Sequence, residues 1–175
     1  TTAIQDILVE DGKFISIAPH LKATLEAQGK DMASVEVVDL GGKLVCPPFC
    51  DTHLHLDYVF TARKPGAVNE SGTLFEGIQR WSETKADLTV DEIKERAKIG
   101  IAKEMRHGVQ FIRSHADVTD PNLTSLKALL ELKEELKDTV TLQIVSFPQE
   151  GMYSYEGPHG ESGADLVEEG DRKSV

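Results

Sequence analysis

A chain of 175 residues, 39% of them hydrophobic, is long enough to bury one ordinary core, which excludes a disordered tail or a collagen-like repeat. Nineteen Lys plus Arg against 30 Asp plus Glu leave a net charge of −11, a poor match to a nucleic-acid backbone or an anionic membrane, so neither is expected as a partner. No apolar run approaches the roughly 20 residues of a membrane helix, and the N-terminus lacks the basic patch and apolar core of a signal peptide, so a soluble cytoplasmic protein is expected.

Residues 4–9 and 14–18 read as two short strands, with Asp11-Gly12 between them as the hairpin signal. Pro19 and Gly29 bracket an irregular connection with room for one short helix around Leu21–Gln28. A third strand is expected over Val35–Asp39, and after Gly41-Gly42 another extended piece, Lys43–Cys46, runs into Pro47-Pro48. Two successive prolines interrupt strand pairing, so that junction reads as a boundary between subregions. Cys46 and Cys50 stand too far apart on an extended segment to form a bridge, and are expected as reduced thiols in a packed interior.

Past Pro48 the pattern changes. Phe49–Leu56 reads as the end of a buried strand, and residues 57–73, with Pro65, Gly66, Asn69, Ser71 and Gly72, read as a long loop. Leu74, Ile78 and Trp81 then share a helical face. Thr89, with Glu92 three residues on, caps a second helix whose apolar stripe is Ile93, Ala97, Ile101 and Met105, ending at His107-Gly108. Val109–His115 is a strand, Leu123–Leu136 a helix with Leu126, Leu129, Leu130 and Leu136 inward, and Val140–Phe147 a strand. Strands alternating with helices of this length imply parallel pairing and a ligand site at the carboxyl ends of the strands. Residues 151–175 read as loop followed by a frayed helix that Glu168-Glu169-Gly170 interrupts.

His53-Leu54-His55 is the strongest local chemical signal. The period-two pleat of a strand sends both imidazoles to one face, within reach of one metal ion, and the same parity adds Asp51 and Asp57, either of which could orient a ligand imidazole. The plain alternative is two ordinary histidines at a strand end, because two imidazoles leave a divalent ion short of its usual three or four protein ligands. His115 lies at the end of the second strand with Arg113 and Asp117, and Gln149-Glu150 follow the third, all toward the same rim. The Gln149 carboxamide offers donors and an acceptor, a fit to an amide-like or pyrimidine edge. His20, His107 and His159 read as solvated surface. No Walker-type loop, no GxGxxG after a strand and no GxSxG occurs, which leaves nucleotide cofactors and a serine nucleophile unsupported.

The order of a small β region, then Leu44-Val45-Cys46-Pro47-Pro48-Phe49 and Asp51-Thr52-His53-Leu54-His55-Leu56-Asp57, resembles the amidohydrolase superfamily. Ser71-Gly72-Thr73-Leu74-Phe75-Glu76-Gly77-Ile78, Arg113-Ser114-His115-Ala116-Asp117-Val118 and Phe147-Pro148-Gln149-Glu150-Gly151 narrow the resemblance to the bacterial cytosine deaminases. The HxH pattern marks only the superfamily, whereas the other stretches are more specific. The resemblance implies an α/β protein, a metal-dependent hydrolase of the (β/α)8 TIM-like barrel type. Residues 1–47 would be an N-terminal β-sandwich-like region, and 48–175 the first part of the barrel, with only its first three strands. It implies one divalent metal ion, Fe2+ or Zn2+, with His53 and His55 as ligands, Gln149 and Leu74 against the substrate, and Asp57 and His115 around the ligands. Metal-activated water would attack the ring carbon bearing the exocyclic amine, so that cytosine becomes uracil and ammonia leaves. The family's further metal ligands and its proton-shuttling glutamate come from later strands. The chain is therefore expected to be inactive alone, and a homo-oligomer when full length. A cyclic amide, a triazine or another aminopyrimidine as substrate stays open, as does a non-catalytic α/β module.

Overall fold

A computed structural model describes residues 3–174 of the chain. It consists of two compact units, one ending at Cys46 and the other beginning at Pro47.

In the first unit, β1 (Asp6–Glu10) and β2 (Lys13–Ala18) pair antiparallel. Asp11 and Gly12 both take positive φ, 50° and 71°, the geometry of a two-residue hairpin turn that twists with its strands. Helix α1 (Leu21–Ala27) follows, then a 3-10 turn over Met32–Ser34 in which the Asp31 carboxylate accepts the Ala33 N–H at 3.0 Å. The strands expected over 35–39 and 43–46 do not form: residues 35–48 run irregularly around a turn at Gly41-Gly42. Asp39 accepts the Gly41 N–H at 2.7 Å and turns the chain there, and the only sheet among the described residues of this unit is the β1–β2 hairpin, so 35–48 have no strand to pair with. Among the described residues of this unit, strand structure is confined to that hairpin.

In the second unit, β3 (Phe49–Leu54), β4 (Val109–Asp117) and β5 (Thr141–Phe147) form a parallel sheet in that order. Between β3 and β4 lie α2 (Leu74–Lys85) and α3 (Val90–Arg106), between β4 and β5 lies α4 (Thr124–Glu135), and α5 (Gly163–Ser174) follows. The β4–β5 register is unbroken from Phe111↔Thr141 to Asp117↔Phe147, whereas β3 shifts register against β4 between Phe49 and Cys50 and again between Asp51 and Leu54. Ile112 and Ala116 of β4 and Leu142 of β5 pack with Ile93, Ala97 and Ile101 of α3, Leu126, Leu129 and Leu132 of α4, and Leu166 of α5. Phe111, Arg113, Thr141 and Gln143, pointing the other way by strand alternation, are exposed. The helices thus cover one face of the sheet, and each fully buried leucine contributes about 1.5–3 kcal/mol.

The local signals act as their chemistry dictates. Thr89 and Glu92 close a capping box at the start of α3, and His107-Gly108 ends that helix with Gly108 at φ 86°. Four expectations change. Cys46 and Cys50 are exposed free thiols, not interior ones, because neither belongs to the face of its segment that meets a core. Phe49 is 60% exposed, since only one face of β3 is covered. Leu74 is also exposed, because α2 begins at that residue and its first turn stands clear of the sheet, leaving Trp81 as the buried member of the stripe. Finally, α5 continues through Gly170: a Cβ there would sit 2.8 Å from Ser146 Oγ and 3.2 Å from Leu126 Cδ2, so the glycine permits close approach to β5 and α4 without breaking the helix. Among the described residues no helix is long and apolar enough to cross a membrane.

Candidate metal and ring-binding site

The carboxyl end of β3 delivers two imidazoles. The strand ends at Leu54 and the chain turns toward α2, leaving the His53 and His55 rings edge-on with centroids 5.2 Å apart. β4 brings a third: His115 stacks on His53 at 4.0 Å and lies 5.6 Å from His55. Aromatic side chains close two sides. Tyr58 stacks on His55 at 4.6 Å, and Phe147, the last residue of β5, meets His55 and His115 edge-on at 5.4 and 5.7 Å. The three strand ends thus converge as parallel pairing requires; Phe147 opens the Phe147-Pro148-Gln149-Glu150-Gly151 stretch, whereas nothing in the sequence around Tyr58 marks it as a wall of the site.

The donor chemistry suits a divalent ion. His55 Nδ1 lies 3.0 Å from the His115 carbonyl oxygen, an interaction that fixes the tautomer with Nδ1–H donating and leaves Nε2 with a free lone pair. Burial, with added repulsion from neighbouring imidazoles, lowers the proton affinity of both His55 and His115 and favours the neutral form a metal requires. Buried His115 Nδ1 has no hydrogen-bond partner among the described residues. Yet no group of three or more His, Cys, Asp or Glu among the described residues converges on one point, so His53 and His55 fit such an ion as part of a ligand set.

The two aspartates grouped with the histidines by parity turn elsewhere. Asp51 accepts the His53 backbone N–H at 2.9 Å. Asp57 is fully buried: its Oδ2 accepts the Asp117 N–H at 2.8 Å and its Oδ1 the Tyr58 N–H at 3.2 Å, and burial pushes its carboxyl up to about 7. Asp57 therefore ties the end of β3 to the end of β4 through the backbone.

Asp117 is the hub beneath this layer. Its Oδ2 accepts Trp81 Nε1–H at 2.6 Å and Lys85 Nζ at 3.1 Å, while Oδ1 accepts the Thr119 N–H at 2.8 Å, the Thr119 hydroxyl at 2.5 Å and the Gln149 N–H at 3.3 Å. Lys85 also donates to the Thr119 carbonyl at 2.6 Å and pairs with Glu150. Gln149 thus sits half-buried on the loop after β5 with its backbone held, and its carboxamide has no protein partner among the described residues. Leu74 opens α2, behind a loop that the Glu76 carboxylate gathers by accepting the Glu70 and Ser71 N–H groups at 3.1 and 2.7 Å and the Ser71 hydroxyl. A cavity of about 230 Å³ between that loop and α2 is lined by Tyr58, Phe60, Asn69, Arg80 and Trp81 and by none of the three imidazoles.

A parallel sheet covered by helices on one face, with paired histidines at the carboxyl end of its first strand, is the arrangement of the leading part of a (β/α) barrel hydrolase. The chain belongs to the amidohydrolase family, whose model matches residues 36–169. Over 155 residues it is 30% identical to N-isopropylammelide isopropyl amidohydrolase of a Pseudomonas species, covering 86% of this chain and 36% of that protein. Pterin deaminase of Rhizobium rhizogenes is 28% identical over 152 residues, covering 84% of this chain and 32% of the relative. Among solved structures, 5-methylcytosine deaminase from Klebsiella pneumoniae liganded with phosphonocytosine superposes with a TM-score of 0.80 at 38% identity, covering 99% of this chain and 39% of that one. The chain therefore spans about a third of the length of these curated relatives.

Proposed function

We propose that this chain supplies the first metal-binding strand and a ring-recognition loop of a metal-dependent amidohydrolase that deaminates cytosine or a related aminopyrimidine, taking up water and releasing ammonia. The observation that carries the reading is the convergence of His53, His55 and the Gln149 loop at the carboxyl ends of β3 and β5, walled by Phe147 and Tyr58. His53 and His55 would hold the ion, Fe2+ or Zn2+. A bound divalent ion supplies Lewis acidity that lowers the pKa of water toward neutrality.

The chain's own residues do the rest of what is assigned here. The His115 carbonyl keeps the Nδ1 proton of His55 away from the metal side. The Gln149 carboxamide offers its N–H donors to a ring carbonyl or nitrogen and its oxygen to a ring N–H. Phe147 and Tyr58 give a planar ring an apolar, water-poor flank. The relatives' names cover ammelide, pterin and methylcytosine rings, which supports a class of amide-bearing ring more firmly than one member of it. The reading leaves the remaining ion donors and the proton shuttle to a longer protein of which this chain would be a part.

Zinc titration of the chain and of His53→Ala and His55→Ala tests the core of this reading. Each substitution is expected to weaken binding by more than about tenfold. Unchanged affinity in both variants would remove the metal role and the deaminase reading with it. Ammonia release from cytosine, ammelide and pterin by the longer protein then selects the ring.

A further inference from the structure

Lys85 lies 32 residues before Asp117 and 65 before Glu150, and it is buried to 13% side-chain exposure between them. Asp117 has 1% exposure, and five donors fill its two oxygens. A cation placed so deep is costly unless paired and hydrogen-bonded. Here the last turn of α2 spends its only lysine on the floor of the strand ends, where no core packing requires a charge. What the cation touches is specific: the Asp117 carboxylate, which accepts the Gln149 N–H, and the Glu150 carboxylate next along the same loop.

We infer that Lys85 and Glu150 are positioning residues for Gln149, clamping the loop after β5 onto Asp117 so that the Gln149 carboxamide is presented to the ring at a fixed height above the imidazoles. The inference deepens the deaminase reading and rests on it for the ring. Asp117 links both sides of the site. Its backbone N–H is held by Asp57 at the end of β3, and Trp81, which donates to its Oδ2, packs at 4.8 Å on Tyr58, the residue stacked on His55. Farther along, the loop is tied to α5 where the Met152 carbonyl accepts the Ala164 N–H at 3.0 Å, and Tyr155 packs on the core; around Gln149 itself the other bonds are short-range. The Gln149 N–H is shared with the Phe147 carbonyl at 3.1 Å in a tight turn, the Gly151 N–H bonds Pro148 at 2.9 Å, and the Ser154 hydroxyl reaches the Glu150 carbonyl at 2.7 Å. The last two bonds lie within the loop and shape it, and the first joins Gln149 only to its own strand end at Phe147, so none of the three holds the loop to β4.

The test uses the 175-residue chain, with Glu150→Gln as the mild variant, since that side chain is a quarter exposed and keeps its size, and Lys85→Met/Glu150→Gln as the second. Amide exchange is followed by NMR, with Glu131→Gln, at a surface ion pair on α4, as control. Protection of the Gln149 and Gly151 amides is expected to fall about tenfold in both variants, with the β4 and α4 amides and the melting temperature of Glu150→Gln unchanged. Wild-type protection at both amides in the variants would overturn the inference, and so would a loss spread evenly over the unit, which marks a purely structural ion pair. A cytosine titration read at the Gln149 side-chain N–H resonances separates the two readings. A response in the wild type that weakens in Glu150→Gln supports both. Lost amide protection with no cytosine response in any form upholds the clamp and removes the ring.

Discussion

Glu76 collects the polar ends of the loop before α2 with one carboxylate, accepting from Glu70 and Ser71 backbone N–H groups and from the Ser71 hydroxyl, and facing Arg80 at 3.4 Å one turn on. Donation from the Ser71 hydroxyl and backbone outweighs desolvation and holds its pKa down to about 2. The sign follows from linkage: a carboxyl whose folded pKa lies below its unfolded one stabilises the loop above about pH 4.5, and loses that contribution as pH falls toward 2. An NMR titration of the Glu76 side-chain carbon should show no step near the ordinary glutamate value, and the Ser71 amide should move with it only as pH approaches 2. A step at the ordinary value would mean that the loop is not clasped. Glu76 is also the residue through which Leu74 acquires a defined place, because the clasp sets where α2 begins.

At the scale of elements, α5 shows how a residue read as a helix breaker serves packing. Gly170 is buried against Ser146 of β5 and Leu126 of α4, with Val118 3.4 Å from where its Cβ would be. Gly170→Ala meets the Ser146 hydroxyl, which can rotate away, and gains up to about 1 kcal/mol of helix propensity, so little net change is expected. Gly170→Val has no such exit and should cost about 1–3 kcal/mol by overpacking, seen as a lower urea midpoint. Equal stability of the two variants would mean that α5 does not press on the sheet. The same element explains what the sequence conceals. The β1–β2 hairpin and α3 are legible because Asp11-Gly12, Thr89 and Glu92 act within a few residues of themselves. Whether Val35–Asp39 becomes a strand depends on a partner, and whether Gly170 breaks or fits depends on Ser146, 24 residues away; neither is encoded locally. The site divides likewise. The HxH spacing brings two imidazoles to the end of β3, while the bond of His55 to the His115 carbonyl, the His115 stack, the Phe147 wall and the bonds of Lys85 to Asp117 depend on strand pairing and helix placement over tens of residues.

At the scale of the whole molecule, the second unit buries one side of its sheet and leaves the other to solvent. Phe49 is 60% and Phe111 44% exposed at the amino ends of β3 and β4, with Cys50 exposed beside them, and β3 and β5 are both edge strands of the sheet. Parallel sheets are ordinarily covered on both faces, and an apolar open face next to unpaired edges is a surface that associates. The chain should therefore self-associate as its concentration rises, in sedimentation velocity, through this face. Phe111→Ser should weaken that association roughly tenfold or more, since a buried phenyl contributes about 1.5–3 kcal/mol, with the melting temperature held because Phe111 is outside the packed core. Lys94→Ala, on the helical side where Lys94 pairs with Glu131 and Glu135, should leave association unchanged. A chain that stays monomeric across the concentration range would show that the open face behaves as ordinary surface. Association that survives Phe111→Ser would move the contact elsewhere, and the exposed valines and isoleucines of the first unit would be the next to substitute.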